Sequence, residues 1–463
     1  METAAALPAA TNVRPLPQPW RRILLFVLDF TGLAVALFAA VALLRMLDWG
    51  LRFTPGGIWT LLLLFAGWLL LYYLNRHYDT RVSHRRRADI ASFVKTTVLA
   101  AMLGGSLLAL FGKAQSHLWP VPLVVGFLFV FLGLLLRHLG WRLLASSRLK
   151  MPLFVVAAEA VFRRVAEMVV SQPWGPFLQP RAVGSESLGH GVRDIPREEA
   201  LHERSAPGPY AVVTADCRLA GEQQQQLDRR SGSRTIVWGL PDFAEQAARL
   251  VPVEALSEEW AQGRLASPSA AASVAKRILD LLLGAVFFLI GLPLGLVISL
   301  LIVLEAPGSV FYLQPRTGYR NRRFSVFKFR TMDEPRELSD SKWAAVNDPR
   351  VTRFGRLLRL YRLNELPQLL NVLTGNMSLV GPRPELPDFA RMLAQEIPCY
   401  NRRHLVKPGM TGWAQVNFRY GATVDEARIK LEYDLYYVKH CSVWLDIYIL
   451  LRTIVIILGG KGR

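Results

Sequence analysis

Four long apolar runs, separated by short polar loops, fill the first third of the chain: Ile23 to Leu44, Ile58 to Leu74, Ile90 to Gly112 and Val121 to Leu136. Each approaches the roughly 17–25 residues a helix needs to cross a bilayer core. The pattern predicts a membrane protein with an α-helical N-terminal four-span bundle over 23–146, the fourth span being the shortest. Asp29 interrupts the first run and Lys95 the third; a single ionisable group near a helix end can snorkel or face the bundle interior. From Pro152 the apolar runs shorten. Leu153 to Ala157, Tyr210 to Thr214 and Thr235 to Gly239 read as strands, with Val161 to Val170 and Leu219 to Leu227 as helices between them. That alternation predicts a small α/β middle domain with a parallel sheet over 151–265. Residues 266–273, rich in Ala, Ser and Pro, read as a linker to a mostly α domain over 274–463. A fifth apolar run, Ile278 to Leu304, carries one charge, Asp280, and has Pro293 near its middle.

Charge gives these runs a sidedness. Arg14, Arg21 and Arg22 precede the first run, the loop 75–89 holds Arg76, Arg81, Arg85, Arg86 and Arg87, and Arg142, Arg148 and Lys150 follow the fourth. The alternate loops hold only Arg45 and Arg52 in one and Lys113 in the other. The positive-inside rule places the N-terminus and everything after residue 142 in the cytoplasm. Further spans follow the first run and no small-residue cleavage site closes it, so a cleaved signal peptide is not expected. The fifth run has Lys276 and Arg277 before it and Arg316, Arg320, Arg322 and Arg323 after it. Both ends therefore favour the cytoplasm, which predicts a re-entrant helix over 278–304 that enters the inner leaflet, bends at Pro293 and returns. A straight fifth span with a proline kink is the alternative.

Composition narrows the partners. The 463 residues include 55 Lys+Arg against 36 Asp+Glu, a net charge of +19, and 52% of them are hydrophobic. A disordered or fibrous chain is excluded; the apolar surplus points to membrane lipid and the basic surplus to phosphates. Nucleic acid is the other anionic partner, but no helix-turn-helix or aromatic-basic platform supports it, and none is expected. Cys217, Cys399 and Cys441 share no C-x-x-C spacing, so neither zinc nor a disulfide framework is indicated. The middle domain lacks the glycines a dinucleotide needs: its first turn reads Ala157-Ala158-Glu159-Ala160, a degenerate Rossmann-like pattern without phosphate-binding capacity. Gln223 to Gln226 reads as a polar helix face.

The densest chemistry follows the fifth run. Gln314-Pro315-Arg316-Thr317-Gly318 precedes Phe327-Lys328-Phe329-Arg330-Thr331-Met332, then Asp348-Pro349-Arg350-Val351-Thr352-Arg353, then Leu363-Asn364-Glu365-Leu366-Pro367-Gln368. Gly375-Asn376-Met377-Ser378-Leu379-Val380-Gly381-Pro382-Arg383-Pro384 and Lys407-Pro408-Gly409-Met410-Thr411-Gly412-Trp413-Ala414-Gln415-Val416-Asn417 complete the series. Gathering phosphate oxygens requires converging cations, for which Lys328, Arg330, Arg353, Arg359 and Arg383 are the candidates. Arg383 has Pro382 and Pro384 fixing the backbone on both sides of a fork suited to phosphate. Arg353, Arg356 and Arg359 alternate with a stripe of Phe354, Leu357, Leu358 and Tyr361, an amphipathic helix; Val443 to Leu458 is a second. Interfacial lodging and core packing are both open for these two.

Taken in this order, the motifs resemble the bacterial sugar transferase family, the polyprenyl-phosphate hexose-1-phosphate transferases, over about residues 274–463. The four-span region with an α/β domain resembles the family's large, membrane-anchored form, which starts exopolysaccharide or O-antigen repeat units. The resemblance implies transfer of hexose-1-phosphate from UDP-hexose to undecaprenyl phosphate with release of UMP, at the bacterial inner membrane with a cytoplasmic catalytic domain. It leaves a homo-oligomer open. It further implies an Asp-Glu pair, the Asp attacking the β-phosphate, and a Mg²⁺ ion shielding the diphosphate, with Glu365 as its ligand. The sequence departs from that pattern at the nucleophile: Asn364 stands where the Asp is expected and only Glu365 matches. A neutral amide lacks the anionic lone pairs that covalent phosphoryl transfer needs. With Pro367 in the first turn, Asn364 is placed as the N-cap of a helix running through Val372. An inactive variant that acts as a scaffold, Glu365 as nucleophile, and direct attack by the lipid phosphate remain as explanations. Asp333 and Glu334 are a further acidic pair suited either to a metal or to a solvated loop. Asn321, where many relatives have Gly, tolerates a left-handed turn.

Overall fold

The computed structural model describes residues 20–51, 55–79, 86–111, 118–146, 150, 153–156, 159–170, 177, 180–182, 211–214, 236–256, 258–332, 350–418 and 423–458. Five of the described helices are long and apolar enough to cross a membrane. The described residues divide into two compact units, one up to Ala248 and one from Arg249 onward.

In the first unit the apolar runs form α1 (Trp20–Met46), α2 (Pro55–Leu74), α3 (Arg86–Phe111) and α4 (Pro120–Ala145). The fourth was expected to be the shortest, yet at 26 residues it exceeds the 20 of α2. Arg137 is what cuts the apolar run short in the sequence, and the fold neutralises it: the guanidinium, 2% exposed, donates through Nε to Asp29 Oδ1 at 2.9 Å and through Nη2 to Oδ2. It also lies over the Phe93 ring at 4.7 Å. Two charges that each mark a run as imperfect thus satisfy one another between α1 and α4. Small residues let the helices approach: a Cβ at Gly126 would meet Ala101 of α3 at 2.6 Å.

The same unit carries a parallel sheet of β1 (Leu153–Val156), β2 (Arg181–Ala182), β3 (Ala211–Thr214) and β4 (Ile236–Gly239), in the order β2-β1-β3-β4. α5 (Glu159–Val170) and α6 (Leu240–Ala248) belong with it. Ala157, Ala158, Leu219 to Leu227 and the glutamine run lie outside the described residues.

The second unit begins earlier than the sequence suggests. Residues 249–265, expected to close the middle domain, pack with the C-terminal region. Val251 N donates to Glu432 O at 3.0 Å, Trp413 Nε1 donates to Arg249 O at 3.0 Å, and Lys439 lies 4.9 Å from the Trp260 ring of α7 (Glu258–Arg264). The expected linker 266–273 also shrinks, because Ser269 caps α8 (Ala270–Glu305), accepting from Ala272 N at 3.2 Å.

α8 is 36 residues long, and helical backbone continues across Pro293. One face meets elements of the same unit along its length. Asp280 accepts from Ser378 Oγ at 3.0 Å and Leu379 N at 2.9 Å, Gly284 lies beside Val372, Gly291 beside Leu366 and Gly295 beside Phe329. Ile298 and Ile302 pack with Phe329 and Leu358, and Glu305 accepts from Phe354 N at 2.9 Å. The opposite face exposes Ile278, Leu282, Leu289, Ile290, Leu296, Val297, Leu300 and Leu304. The basic pair in the N-terminal part of α8, ahead of the apolar run, is not free: Lys276 donates to Asp446, Val380 O and Tyr437, and Arg277 donates to Val372 O at 2.6 Å and Leu373 O at 2.8 Å.

The remaining elements are the antiparallel hairpin β5 (Phe311–Thr317) and β6 (Arg323–Phe329), α9 (Arg353–Leu360), α10 (Gln368–Thr374), β7 (Ser378–Val380), α11 (Pro387–Glu396), β8 (Gly409–Thr411), α12 (Trp413–Asn417), α13 (Val424–His440) and α14 (Val443–Leu458). Val326, Leu369, Val372, Met377, Val380, Trp413, Tyr437 and Ile449 are the centre of their core. α14 therefore contributes to the core through Ile449 while exposing Trp444. The stripe of α9 and its C-cap splits: Leu358 is buried with Phe354 packed against its cluster, whereas Leu357 and Tyr361 are exposed.

Candidate active site

The β5–β6 hairpin sorts its side chains by parity. Tyr312 pairs with Lys328, Gln314 with Val326 and Arg316 with Phe324, so Gln314, Arg316 and Lys328 share one face. Phe311 stacks on Phe329 on the other, the face that meets α8. The turn between strands needs left-handed backbone at Arg320 and Asn321, with φ 52° and 59°. Asn321 thus performs the turn for which glycine was expected.

Glu365 reaches this face from a 3₁₀ turn, Leu363–Glu365, that follows a left-handed Arg362 (φ 55°). Asn364 is the middle of that turn and not the N-cap expected of it. α10 starts only at Gln368, behind Pro367, with no side-chain cap. α10 is tied to the hairpin instead by Asn371, whose fully buried amide accepts from Phe327 N at 3.0 Å and donates to Ser325 O at 2.8 Å. One side chain thereby supplies the edge of β6 with the partners a third strand would give, and fixes the Glu365 turn against Lys328.

Arg383 arrives from the opposite side, on the loop after β7. That loop is laid on β8 by Gly381 N donating to Thr411 O at 2.8 Å and Gly409 N donating to Pro382 O at 3.0 Å. A Cβ at Gly409 would collide with the Gly381 backbone, so the two strands can close only with glycine there. Behind the loop the buried Arg403 donates to Arg383 O at 2.9 Å, to Asp434 at 2.7 Å and to Tyr400 Oη at 2.7 Å. The Arg383 fork then clasps Glu365, Nη2 at 2.6 Å and Nη1 at 3.4 Å.

The electrostatics follow from this enclosure. Burial raises the Glu365 carboxyl, but Arg383, Lys328 and Arg362 overcome it and hold the group at about 2. Burial, with Arg316, Arg383 and Arg359 around it, pushes the Lys328 ammonium down to about 7, against the pull of Glu365. The cluster is a cationic pocket around a carboxylate that stays ionised.

Of the residues singled out from sequence, Lys328, Glu365, Arg383 and Arg359 come together, with Asn364 beside Glu365 in the same turn. Arg359 is also held by Thr331, its Nε donating to Oγ1 at 2.9 Å. Arg330 is directed elsewhere: it donates to Ala306 O and Pro307 O and fastens the end of α8. Arg353 is exposed on the first turn of α9. Gln314, Arg316 and Arg403 were not among the candidates. The i, i+2 spacing of Gln314 and Arg316 within a strand was the available signal, and Arg316 was instead counted as a flank of the membrane segment. Among the described residues no three His, Cys, Asp or Glu side chains come together to hold a metal. Asp333 and Glu334 lie outside the described residues.

Residues 271–460 match the family model described as bacterial sugar transferase. The chain is 42% identical over 256 residues to a UDP-N-acetylgalactosamine-undecaprenyl-phosphate N-acetylgalactosaminephosphotransferase of Aeromonas hydrophila, covering 55% of this chain and 60% of that protein. It is 45% identical over 192 residues to a UDP-glucose:undecaprenyl-phosphate glucose-1-phosphate transferase of Xanthomonas campestris pv. campestris, covering 41% and 40%. The chain thus spans about half the length of these two relatives. It is also 41% identical over 196 residues to the exopolysaccharide production protein PSS of Rhizobium leguminosarum bv. phaseoli, covering 41% of this chain and 98% of that protein. With the motifs, the site they build and these matches together, the chain belongs to the bacterial sugar transferase family.

Proposed function

We propose that the protein transfers hexose-1-phosphate from a UDP-sugar to undecaprenyl phosphate and releases UMP, at the cytoplasmic face of the bacterial inner membrane, as the first membrane step of a polysaccharide pathway. The observation that carries this reading is the convergence of Lys328, Arg316 and Arg383 around the Asn364–Glu365 turn, on a hairpin whose other face meets an apolar helix. A pocket of that charge suits a diphosphate, and its position suits a lipid phosphate.

Lys328, Arg316 and Arg383 would hold the diphosphate oxygens and stabilise charge as the bond between the β-phosphorus and the bridging oxygen breaks. The electron pair of that bond leaves with UMP. With Asn364 in place of an anionic nucleophile, and the Glu365 carboxylate engaged by Arg383 and too weakly basic to attack well, the lipid phosphate is the better nucleophile. Its oxygen forms the new bond to the β-phosphorus directly. A Mg²⁺ ion would draw on Glu365 and on diphosphate oxygens and water, the usual ligand set of that ion, and would neutralise part of the phosphate charge.

The re-entrant reading of α8 draws support from its contacts. A helix crossing the bilayer would carry the partners of its two ends to opposite sides, yet Ser378, bound to Asp280, and Phe354, bound to Glu305, belong to one compact unit. Both ends of α8 then stay cytoplasmic, and its exposed apolar face meets lipid.

The test is UMP release by the full chain from a panel of UDP-sugars with undecaprenyl phosphate. Asn364 favours a second reading, a weakened or inactive member serving as scaffold for polysaccharide assembly; nucleotide-sugar binding without UMP release would select it.

A further inference from the structure

Gln314 stands between two cations. Its Oε1 accepts from Lys328 Nζ at 3.1 Å and from Arg316 Nη2 at 2.7 Å. Arg316 continues the chain, donating through Nη1 to Pro384 O at 3.1 Å, next to Arg383, and approaching Glu385 at 3.9 Å. The residue type decides what this junction can do. A carboxylate at 314 would hold both cations but cancel their charge, and an apolar side chain would leave them to repel one another; a neutral carbonyl holds both and leaves the charge available.

We propose that Gln314 is the positioning residue of this site, gathering the Lys328 ammonium and the Arg316 guanidinium into a two-cation clamp for the diphosphate of a nucleotide sugar. The proposal rests on the transfer reading above and assigns a device within it.

The experiment is calorimetric titration of the full chain in detergent with UDP-glucose and with UDP-N-acetylgalactosamine, whose diphosphates do not titrate near neutrality. It is run at low and at moderate salt. Gln314→Leu should bind both nucleotide sugars roughly tenfold or more weakly than wild type. Gln314→Glu keeps the side-chain length but cancels cationic charge at the junction, so binding weakens and depends less steeply on salt than in wild type. Thermal unfolding checks that both variants are folded. Wild-type affinity and salt dependence in both variants would overturn the proposal and leave the transfer reading standing. Wild type that binds neither nucleotide sugar would remove both.

Discussion

The Glu365–Arg383 pair gives a quantitative prediction. Its side chains are 13% and 28% exposed, so water screens it only in part. Holding the carboxyl at about 2 in place of its ordinary 4.5 corresponds to about 3 kcal/mol in favour of the charged, paired state. Glu365→Gln keeps the shape and removes the charge, leaving Arg383, Lys328 and Arg316 facing one another. The expected loss is about 2–3 kcal/mol, or roughly 4–12 °C in Tm for a unit of this size. Because the carboxyl is lowered, its contribution is complete above the ordinary 4.5 and fades as pH falls toward about 2. Thermal unfolding of wild type and variant in detergent should therefore show a gap that narrows only in acid. Glu365→Gln combined with Arg383→Ala should cost less than the two separately, since each alone strands the other's partner. A Tm equal to that of wild type at neutral pH, or a gap that widens in acid, would sink this reasoning. Glu365→Gln should also abolish UMP release.

Asn364→Asp adds one anion to the same turn. It should raise turnover by orders of magnitude, leave a phosphosugar adduct on residue 364 detectable by mass spectrometry, and give ping-pong kinetics; brisk wild-type turnover unchanged by the substitution would exclude covalent chemistry at this position. In the bundle, Asp29→Asn or Arg137→Gln alone should each cost about 3–5 kcal/mol, while Asp29→Leu with Arg137→Leu recovers most of it, read as yield of folded protein and Tm. For topology, single cysteines at the exposed Val274 and Arg322, in a background without Cys217, Cys399 and Cys441, should both resist an impermeant maleimide in intact cells. Labelling at one of them alone would make α8 a full span.

The elements legible in the sequence were those with a period or a fixed local grammar. The apolar runs gave the five long helices, and alternation gave three strands of the middle sheet, because apolar helices and buried strands write their surroundings directly into residue order; the short β2 and the strand pairs β5–β6 and β7–β8, in a region expected to be mostly α, were not read. What failed were judgements that depended on a distant partner. Arg137 looked like the end of a span until Asp29 met it. Lys276 and Arg316 looked like free positive flanks, whereas one is fastened to Asp446 and the other sits in the pocket. Arg330, in a motif full of phosphate-binding candidates, turned to two carbonyls at the end of α8. The misplacement of Asn364 is of the same kind: Asn before a proline reads as a cap, and the left-handed Arg362 together with the Asn371 bridge starts the helix later.

The contacts of α8 constrain its length in a way ordinary membrane helices escape. From Asp280 to Glu305 the inward positions address fixed partners over roughly 37 Å at about 1.5 Å per residue. Inserting or deleting one residue would turn everything beyond it by roughly 100° and present bulky outward side chains where Gly291 and Gly295 now sit. A helix surrounded by lipid can gain or lose residues to suit a thicker or thinner bilayer; α8 is gauged along one face against protein, so adjustment to a different lipid has to come from swapping outward-facing side chains at constant length.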